Sequence, residues 1–276
     1  MTDLLVALAL FVGLCGSSLL GRWLLGVLPA RHRSQETWEF TRIASGLLIT
    51  FTALVLSLLI TNVDAQFAKT EGDLRTYSAM IVRLDTELTD LPAVAEAARG
   101  LLRRYTATAI ATTWPEEARP AGGEAGPADV GAEIDSPALG RMLHRLETDI
   151  RQATATDPSD TGARAVCLRH IDLLLDLRLT LVGEANSTIT RPFFGMMIFW
   201  LVVVFFGFGL TAPHNAVSAA FILIVGISIA GAIFCILELD GPLDGLIKVS
   251  SEPMRRALDH LGAPIPGTPP AADAPG

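Results

Sequence analysis

Three long stretches of the chain contain no Asp, Glu, Lys or Arg. They cover residues 4–21, 43–63 and 192–237. A helix that crosses the hydrocarbon core of a bilayer, about 30 Å thick, needs about 20 apolar residues. Each of the first two stretches therefore accommodates one span. The third accommodates two, with a turn at the Ala-Pro-His-Asn sequence of residues 212–215. Because lipid offers no partner to free backbone groups, all four spans are predicted to be helical.

The pattern predicts an all-α protein with four transmembrane helices. The predicted spans cover residues 4–28, 43–63, 193–211 and 216–238. Residues 1–63 and 192–238 would each form a transmembrane hairpin, and the polar block 64–191 would be a helical extramembrane domain inserted between the second and third spans. The first span is expected to remain uncleaved, because the chain begins Met1-Thr2-Asp3 and lacks the basic start of a signal peptide.

Apolar residues recur at heptad spacing directly after the second span. One series consists of Phe67, Leu74, Ile81 and Leu88, and a second consists of Tyr77, Leu84 and Leu91. They predict that the second span continues into water as one helix to about Leu91-Pro92. Such a seam packs either within the chain or between subunits. Further helices are predicted over 94–113, 139–150 and 167–181, whereas the Pro-, Gly-, Ala- and Glu-rich residues 114–137 are predicted to form a flexible loop.

The sequence after the fourth span predicts a short amphipathic helix within residues 239–262. Ser251 is a suitable N-cap, and Pro253 falls in the first turn. The apolar face consists of Met254, Ala257, Leu258 and Leu261. Such a helix is expected to lie at the bilayer interface. Residues 263–276, rich in Pro and Ala, are predicted to be disordered.

Composition and charge fit a membrane protein. The 276 residues are 50% hydrophobic and only 18% charged, with a mean hydropathy of +0.45, whereas soluble domains carry about 25% charged residues. The net charge of −8 provides no basic surface for nucleic acid. Arg22, Arg31, Arg33 and Arg42 flank the loop between the first two spans. The positive-inside rule then places this loop in the cytoplasm, and the N-terminus, the 64–191 domain and the C-terminus on the extracytoplasmic side.

No catalytic or cofactor-binding motif is apparent. The chain has no phosphate loop, nucleophile elbow or CxxC pair, and its three cysteines provide no disulfide framework. None of the five histidines lies at metal-ligand spacing from Cys, Asp or Glu. Gly207 and Gly209, inside the third span, predict close helix packing. The sequence therefore predicts no enzymatic activity, no cofactor and no metal.

Small and hydroxyl-bearing residues form a stripe along the second span and its extension. Thr50, Ser57, Thr61, Asp64 and Glu71 share one helical face. This stripe has two interpretations. Its members either pack closely against another helix, with hydroxyls bonded to the preceding turn, or line a water-filled path for an ion. In the second case Asp64 and Glu71 would form acidic rings at the mouth of an oligomer and favour cations.

Two carboxylates, Glu238 and Asp240, lie at the end of the fourth span. They point away from each other on a helix, so they are not predicted to form a catalytic pair. Either they are solvated at the interface, or Glu238 reaches a neighbouring span or a cation.

The C-terminal third resembles a known family. The motif residues include Phe199-Trp200, Phe208-Gly209, Ala212-Pro213, the run 236–240, Asp244-Gly245 and Ser250-Ser251. This string is similar to that of the bestrophin-like family of bacterial integral membrane proteins. The resemblance implies a four-span membrane protein and suggests kinship with bestrophins, which are pentameric anion channels whose neck is lined by aromatic residues.

Two functions remain open from the sequence. The first is a homo-oligomeric, channel-like protein that passes a small ion across the bilayer. The alternative is a non-conducting membrane scaffold or sensor whose helical domain binds a partner protein. The arrangement of subunits distinguishes them, because conduction requires the second spans to surround an axis.

Overall fold

The computed structural model describes residues 2–27, 35–92, 94–123, 136–153, 158–185, 191–213, 215–243 and 245–262. These residues form helices and turns and contain no strand. The helices are α1 (Thr2–Val27), α2 (Gln35–Leu88), α3 (Ala95–Thr113), α4 (Pro137–Gln152), α5 (Pro158–Ala185), α6 (Arg191–Thr211), α7 (Ala216–Asp240) and α8 (Glu252–Gly262). Four of them, α1, α2, α6 and α7, are long and apolar enough to cross a membrane. The predicted all-α class with four apolar helices is confirmed. The predicted disordered tail, 263–276, lies outside the described residues.

The chain divides into two compact units. The membrane unit contains Met1–Ala68 and Asn186–Lys248, and the helical unit contains Lys69–Ala185 together with the C-terminal segment that starts at Val249. Helix α2 contributes its first part to the membrane unit and its second part to the helical unit.

The core of the membrane unit is formed by apolar residues from α1, α2, α6 and α7. Its buried members are Leu10, Leu14, Leu59, Val63, Met197, Leu201, Phe205, Ile233 and Ile236. Helix α1 packs against both α6 and α7. The hydroxyl of Ser17 donates to the backbone oxygen of Leu14 at 2.9 Å and lies 3.2 Å from that of Val202 on α6. Such hydroxyl bonds and small residues stabilise helix contacts in lipid, where burial of apolar surface provides little driving force.

Two glycines allow the backbones of α1 and α6 to approach closely. A Cβ atom built on Gly209 would lie 1.9 Å from the backbone oxygen of Ser18, and one on Gly21 would lie 2.3 Å from that of Phe206. Both contacts are with backbone atoms, which cannot move aside as a flexible side chain does. The predicted role of Gly209 in close helix packing is confirmed.

The helical unit has a core built from α2, α3, α4 and α5. The residues with 0% exposure include Leu74, Tyr77, Ile81, Leu84, Leu88, Leu102, Ile110, Leu139, Leu143, Leu146, Ile150, Ile171, Leu174 and Leu181. The predicted heptad series therefore packs within the chain. Helix α2 ends at Leu88, slightly before the predicted end near Pro92. The ring of Pro92 disfavours the helical conformation at the preceding residue, so the helix ends before it.

Polar pairs inside the helical unit connect its helices. The Asp85 carboxylate on α2 accepts two hydrogen bonds from Arg99 on α3, at 2.7 Å from Nε and 2.9 Å from Nη2. Asp85 is buried, so this bidentate pair supplies the partner that a desolvated carboxylate requires. The hydroxyls of Tyr77 and Tyr105 also bond to each other in the core.

Helix α8 is amphipathic as predicted, but its apolar face is covered by protein. Met254, Ala257 and Leu261 are buried, and α8 packs against α3 within the helical unit. The prediction of an interfacial helix lying on the bilayer is therefore wrong for this face. The amphipathic pattern alone does not distinguish a bilayer from a protein core, because both cover an apolar stripe.

The segment that follows α3 is held to the C-terminal segment. Trp114 is buried, and its indole Nε1 donates to the backbone oxygen of Val249 at 2.9 Å. Glu117 accepts from the Ser251 hydroxyl at 2.5 Å and from Arg255 Nε at 2.9 Å. The predicted flexible loop 114–137 thus begins with anchored residues, and α4 already starts at Pro137. Residues 124–135 lie outside the described part of the chain.

The glycine contact in the membrane unit predicts a specific loss of stability. Gly209→Ala places a methyl group against the Ser18 backbone, so α1 and α6 must separate. We expect a cost of about 1–3 kcal/mol, as for other overpacked sites, measured as a lower unfolding temperature in detergent. Gly231→Ala is the matched control, because a Cβ atom there meets nothing within 4 Å. Equal stability of the two variants would contradict the close approach.

Candidate functional site

The hydroxyl stripe of α2 lies on the surface of the membrane unit. Thr50, Ser57, Thr61 and Asp64 are all exposed within the chain. The Thr50 hydroxyl donates to the backbone oxygen of Gly46 at 3.0 Å, and the Thr61 hydroxyl donates to that of Ser57 at 3.0 Å. The predicted bonding of hydroxyls to the preceding turn is confirmed for these two threonines. Their hydrogens are used inside the helix, so their oxygens keep lone pairs that face outward.

The stripe lies opposite the face that α2 buries in its own membrane unit. The buried residues are Thr52, Leu59 and Val63. With 3.6 residues per turn, these three lie about 180–220° around the helix axis from Thr50. Ser57, Thr61 and Asp64 lie within about 40° of Thr50 on the same count. Thr50, Ser57, Thr61 and Asp64 therefore do not pack against another helix within the described part of the chain.

The fifth residue of the predicted stripe has a partner on its own helix. Glu71 belongs to the helical unit, where its Oε1 accepts from Arg75 Nη2 at 2.6 Å. This pairing offsets the negative charge that an acidic ring at Glu71 would present. Asp64, the other acidic residue of the stripe, is exposed and belongs to the membrane unit.

At the end of α7, Glu238 anchors the turn that follows the helix. Glu238 is buried, and its Oε2 accepts from the backbone N–H of Leu246 at 2.6 Å. Gly245 has a φ of +89°, and a Cβ atom there would lie 2.4 Å from the same oxygen. Interfacial solvation is therefore wrong for Glu238, because the turn folds back over it. Asp240 is half-buried. The sequence around Gly245 did not predict the contact between Glu238 and the turn.

A second carboxyl site, absent from the sequence predictions, lies in the helical unit. Glu184 on α5 is buried, and its Oε1 lies 2.7 Å from Lys69 Nζ. Burial and a hydrogen bond with Glu184 raise the pKa of Asp73, which follows Lys69 by one turn of α2. Two adjacent carboxyl groups are most stable when they share one proton. The available signal was Glu184 itself, an acid next to the largely apolar run 179–182.

Cys167, His170 and Glu87 lie close together in the helical unit but do not form an activated nucleophile. His170 Nδ1 pairs with Glu87. Burial, together with the negative charges of Glu87 and Asp90, raises the pKa of Cys167 to about 11. A reactive cysteine requires a lowered pKa and a positive neighbourhood. Within the described part of the chain, no group of three or more His, Cys, Asp or Glu side chains has a geometry that holds a metal ion.

The hydrogen bond between Glu238 and the Leu246 N–H predicts that Glu238 stabilises the fold. Glu238→Ala leaves the Leu246 N–H without its acceptor, so we expect a destabilisation of about 1–3 kcal/mol, measured by thermal unfolding in detergent. Glu39→Ala removes an exposed carboxylate from α2 and should leave the unfolding temperature unchanged. If Glu238→Ala were as stable as the control, Glu238 would be solvated and would not stabilise the turn.

The carboxyl pair predicts a pH dependence of stability. The pKa of Asp73 lies above its ordinary value of 3.8, so the folded state binds the proton more tightly than the unfolded state. Stability from this group is present at low pH and is lost as the pH rises through the raised pKa. Thermal unfolding measured between about pH 4 and pH 8 should show this loss in the wild type. Asp73→Asn should reduce it, whereas Asp172→Asn, at an exposed position of α5, should not.

Comparison with known proteins gives one family. The chain matches the family described as Bestrophin-like domain over residues 12–254. The match contains α2 to α7 completely and includes the C-terminal string of residues that carries the resemblance. No curated protein and no solved structure matches the chain. Because the family match covers most of its length, the chain belongs to the bestrophin-like family.

Proposed function

We propose that the protein is a homo-oligomeric, channel-like membrane protein in which copies of α2 surround a path for a small ion. The proposed location is the bacterial inner membrane, with the loop between α1 and α2 in the cytoplasm. The N-terminus, the helical unit and the C-terminus would lie on the other side, as the arginines at residues 22–42 favour. The proposed role is transport without catalysis.

The exposure of α2 is the observation that carries this proposal. Only 11% of the most apolar part of α2 is buried inside the chain, against 28% for α1, 33% for α6 and 22% for α7. The uncovered side includes the hydroxyl stripe, which lies opposite the buried face. Contact with α2 of another subunit would cover more of the helix while leaving the stripe toward an axis.

The chemistry of the stripe favours a small cation. Outward-facing hydroxyl oxygens replace part of the hydration shell of a cation, and a ring of Asp64 carboxylates adds negative charge at one end. An anion would require Arg or Lys at these positions. The spacing of one hydroxyl about every two turns gives successive weak sites, which allow an ion to leave as readily as it binds.

Flux through proteoliposomes tests the proposal. Purified protein should pass K⁺ or Na⁺ in preference to Cl⁻. Thr50→Leu combined with Ser57→Leu should lower the cation flux more than about tenfold, which corresponds to about 1.4 kcal/mol in the barrier. Ser228→Leu is the matched control. It removes an exposed hydroxyl on α7 that is bonded to the preceding turn at 2.9 Å, so it should leave the flux unchanged.

Two results would contradict the proposal. Unchanged flux in the double variant would show that this face of α2 does not line the path. Cl⁻ flux above cation flux would contradict the proposed preference for cations. The mass of the particle in lipid nanodiscs provides an independent measurement. A monomer would leave α2 facing lipid alone, which is incompatible with a path between subunits.

A non-conducting sensor is the second candidate, in which the helical unit binds a partner protein. The Asp73–Glu184 pair favours it, because a shared proton makes a contact between α2 and α5 dependent on pH. A sensor would show the pH dependence of Asp73 without any cation flux. A channel would show flux that the stripe variants abolish.

A further inference from the structure

A cavity opens in the membrane unit between α1, α6 and α7. Its volume is about 180 Å³. The lining residues used below are Cys15, Leu19, Arg22, Ser218, Ala219 and Ile222. All but Arg22 and Ser218 present apolar or weakly polar groups. Ser18 adds one more hydroxyl to the lining, and the other walls are mostly apolar. An acyl chain satisfies such walls without any hydrogen bond.

Arg22 provides the charged end of the cavity. It follows the charge-free stretch 4–21 directly, so it lies where α1 reaches the level of lipid headgroups. No hydrogen bond or ion pair among the described residues involves Arg22, and its side chain is half-exposed. Cys15 and Leu19 lie about one to two turns further into the apolar stretch of the same helix. The cavity therefore changes from basic to apolar with depth.

The N-terminus of α7 adds positive potential at the same end. Asn215 caps the helix, and its Oδ1 accepts from the backbone N–H of Ser218 at 2.8 Å. Ser218 and Ala219 of this first turn line the cavity beside Arg22. The N–H groups of Ser218 and Ala219 are both donated to Asn215, so the helix contributes the partial positive charge of its N-terminus, which favours a phosphate group. Arg22 thus supplies the charged side chain for an anion, and the dipole of α7 adds to its positive potential.

We propose that this cavity binds an acidic phospholipid of the bilayer. The phosphate lies against the Arg22 guanidinium beside the first turn of α7, and part of one acyl chain enters the apolar cavity between α1 and α7. The complementarity of charge and polarity selects this ligand: a zwitterionic lipid has the same chains but lacks the net negative charge that Arg22 and the helix terminus favour. This site is separate from the stripe of α2, so it does not depend on ion conduction.

Lipid retention measured by native mass spectrometry tests the site. Full-length protein is purified in detergent and equilibrated with equal amounts of phosphatidylglycerol and phosphatidylcholine of the same acyl chains. We expect wild type to retain phosphatidylglycerol about fivefold over phosphatidylcholine, the effect of one basic group near a lipid headgroup. Arg22→Gln should bring the ratio close to one, and Arg22→Lys should restore most of it. Arg42→Gln, on α2 and outside the cavity lining, should retain the wild-type ratio.

A second pair of variants tests the apolar part independently of charge. Ala219→Leu fills the cavity and should abolish retention of both lipids at this site while Arg22 is intact. Ala220→Leu is the matched control, since the next residue of α7 is exposed and does not line the cavity. A ratio near one in the wild type, or an unchanged ratio in Arg22→Gln, would overturn the proposal. So would retention in Ala219→Leu equal to that of Ala220→Leu.

Discussion

Helix α2 imposes the main constraint on this protein, because one helix of 54 residues contributes to both compact units. At a rise of 1.5 Å per residue it is about 80 Å long, whereas the hydrocarbon core of a bilayer is about 30 Å thick. Its first part must expose apolar side chains to lipid, and its second part must expose charge to water while it buries Leu74, Tyr77 and Ile81. The two units form around these two requirements.

Buried carboxylates lie beside local partners in both units. Asp85 has Arg99, Glu184 has Lys69 and Asp73, and Glu238 has the backbone N–H of Leu246. A desolvated charge is tolerated in a protein only with such partners. These carboxylates have structural roles, whereas Asp64 is exposed on the face of α2 opposite its buried residues. In the proposed channel, an ion passing along α2 would therefore meet Asp64 and not these buried groups.

The sequence was sufficient for the parts of the fold that depend on periodicity. Charge-free runs of the right length identify apolar helices, because a helix satisfies the backbone groups of a single segment in lipid, and the heptads after Val63 identify the buried face of α2 in the helical unit. Contacts between distant parts of the chain were beyond its reach. The apolar face of α8 packs against α3, and Glu238 is buried by the turn at Gly245. Neither follows from the spacing of residues along one helix.

The candidate site shows the same limit. The stripe from Thr50 to Asp64 was visible as a repeat, and its bonding to the preceding turn follows from the chemistry of threonine. The sequence did not predict which face of the apolar part of α2 is buried, since apolar residues lie all around the helix there. The Asp73–Glu184 pair joins two helices that are far apart in the sequence, so only the folded chain brings it into view.

The attachment of the C-terminal segment also has a consequence for the order of assembly. The helical unit is discontinuous in sequence: α3 receives its cover from α8, and Trp114 receives its acceptor from Val249 only after α6 and α7 have been synthesised. A nascent chain that has reached Ala185 thus carries an incomplete helical unit with an uncovered apolar surface on α3. Biogenesis must protect that surface until the last membrane helix has been inserted. Completion of the helical unit would then require α8, so that a product truncated before α8 is recognisable by its uncovered surface on α3.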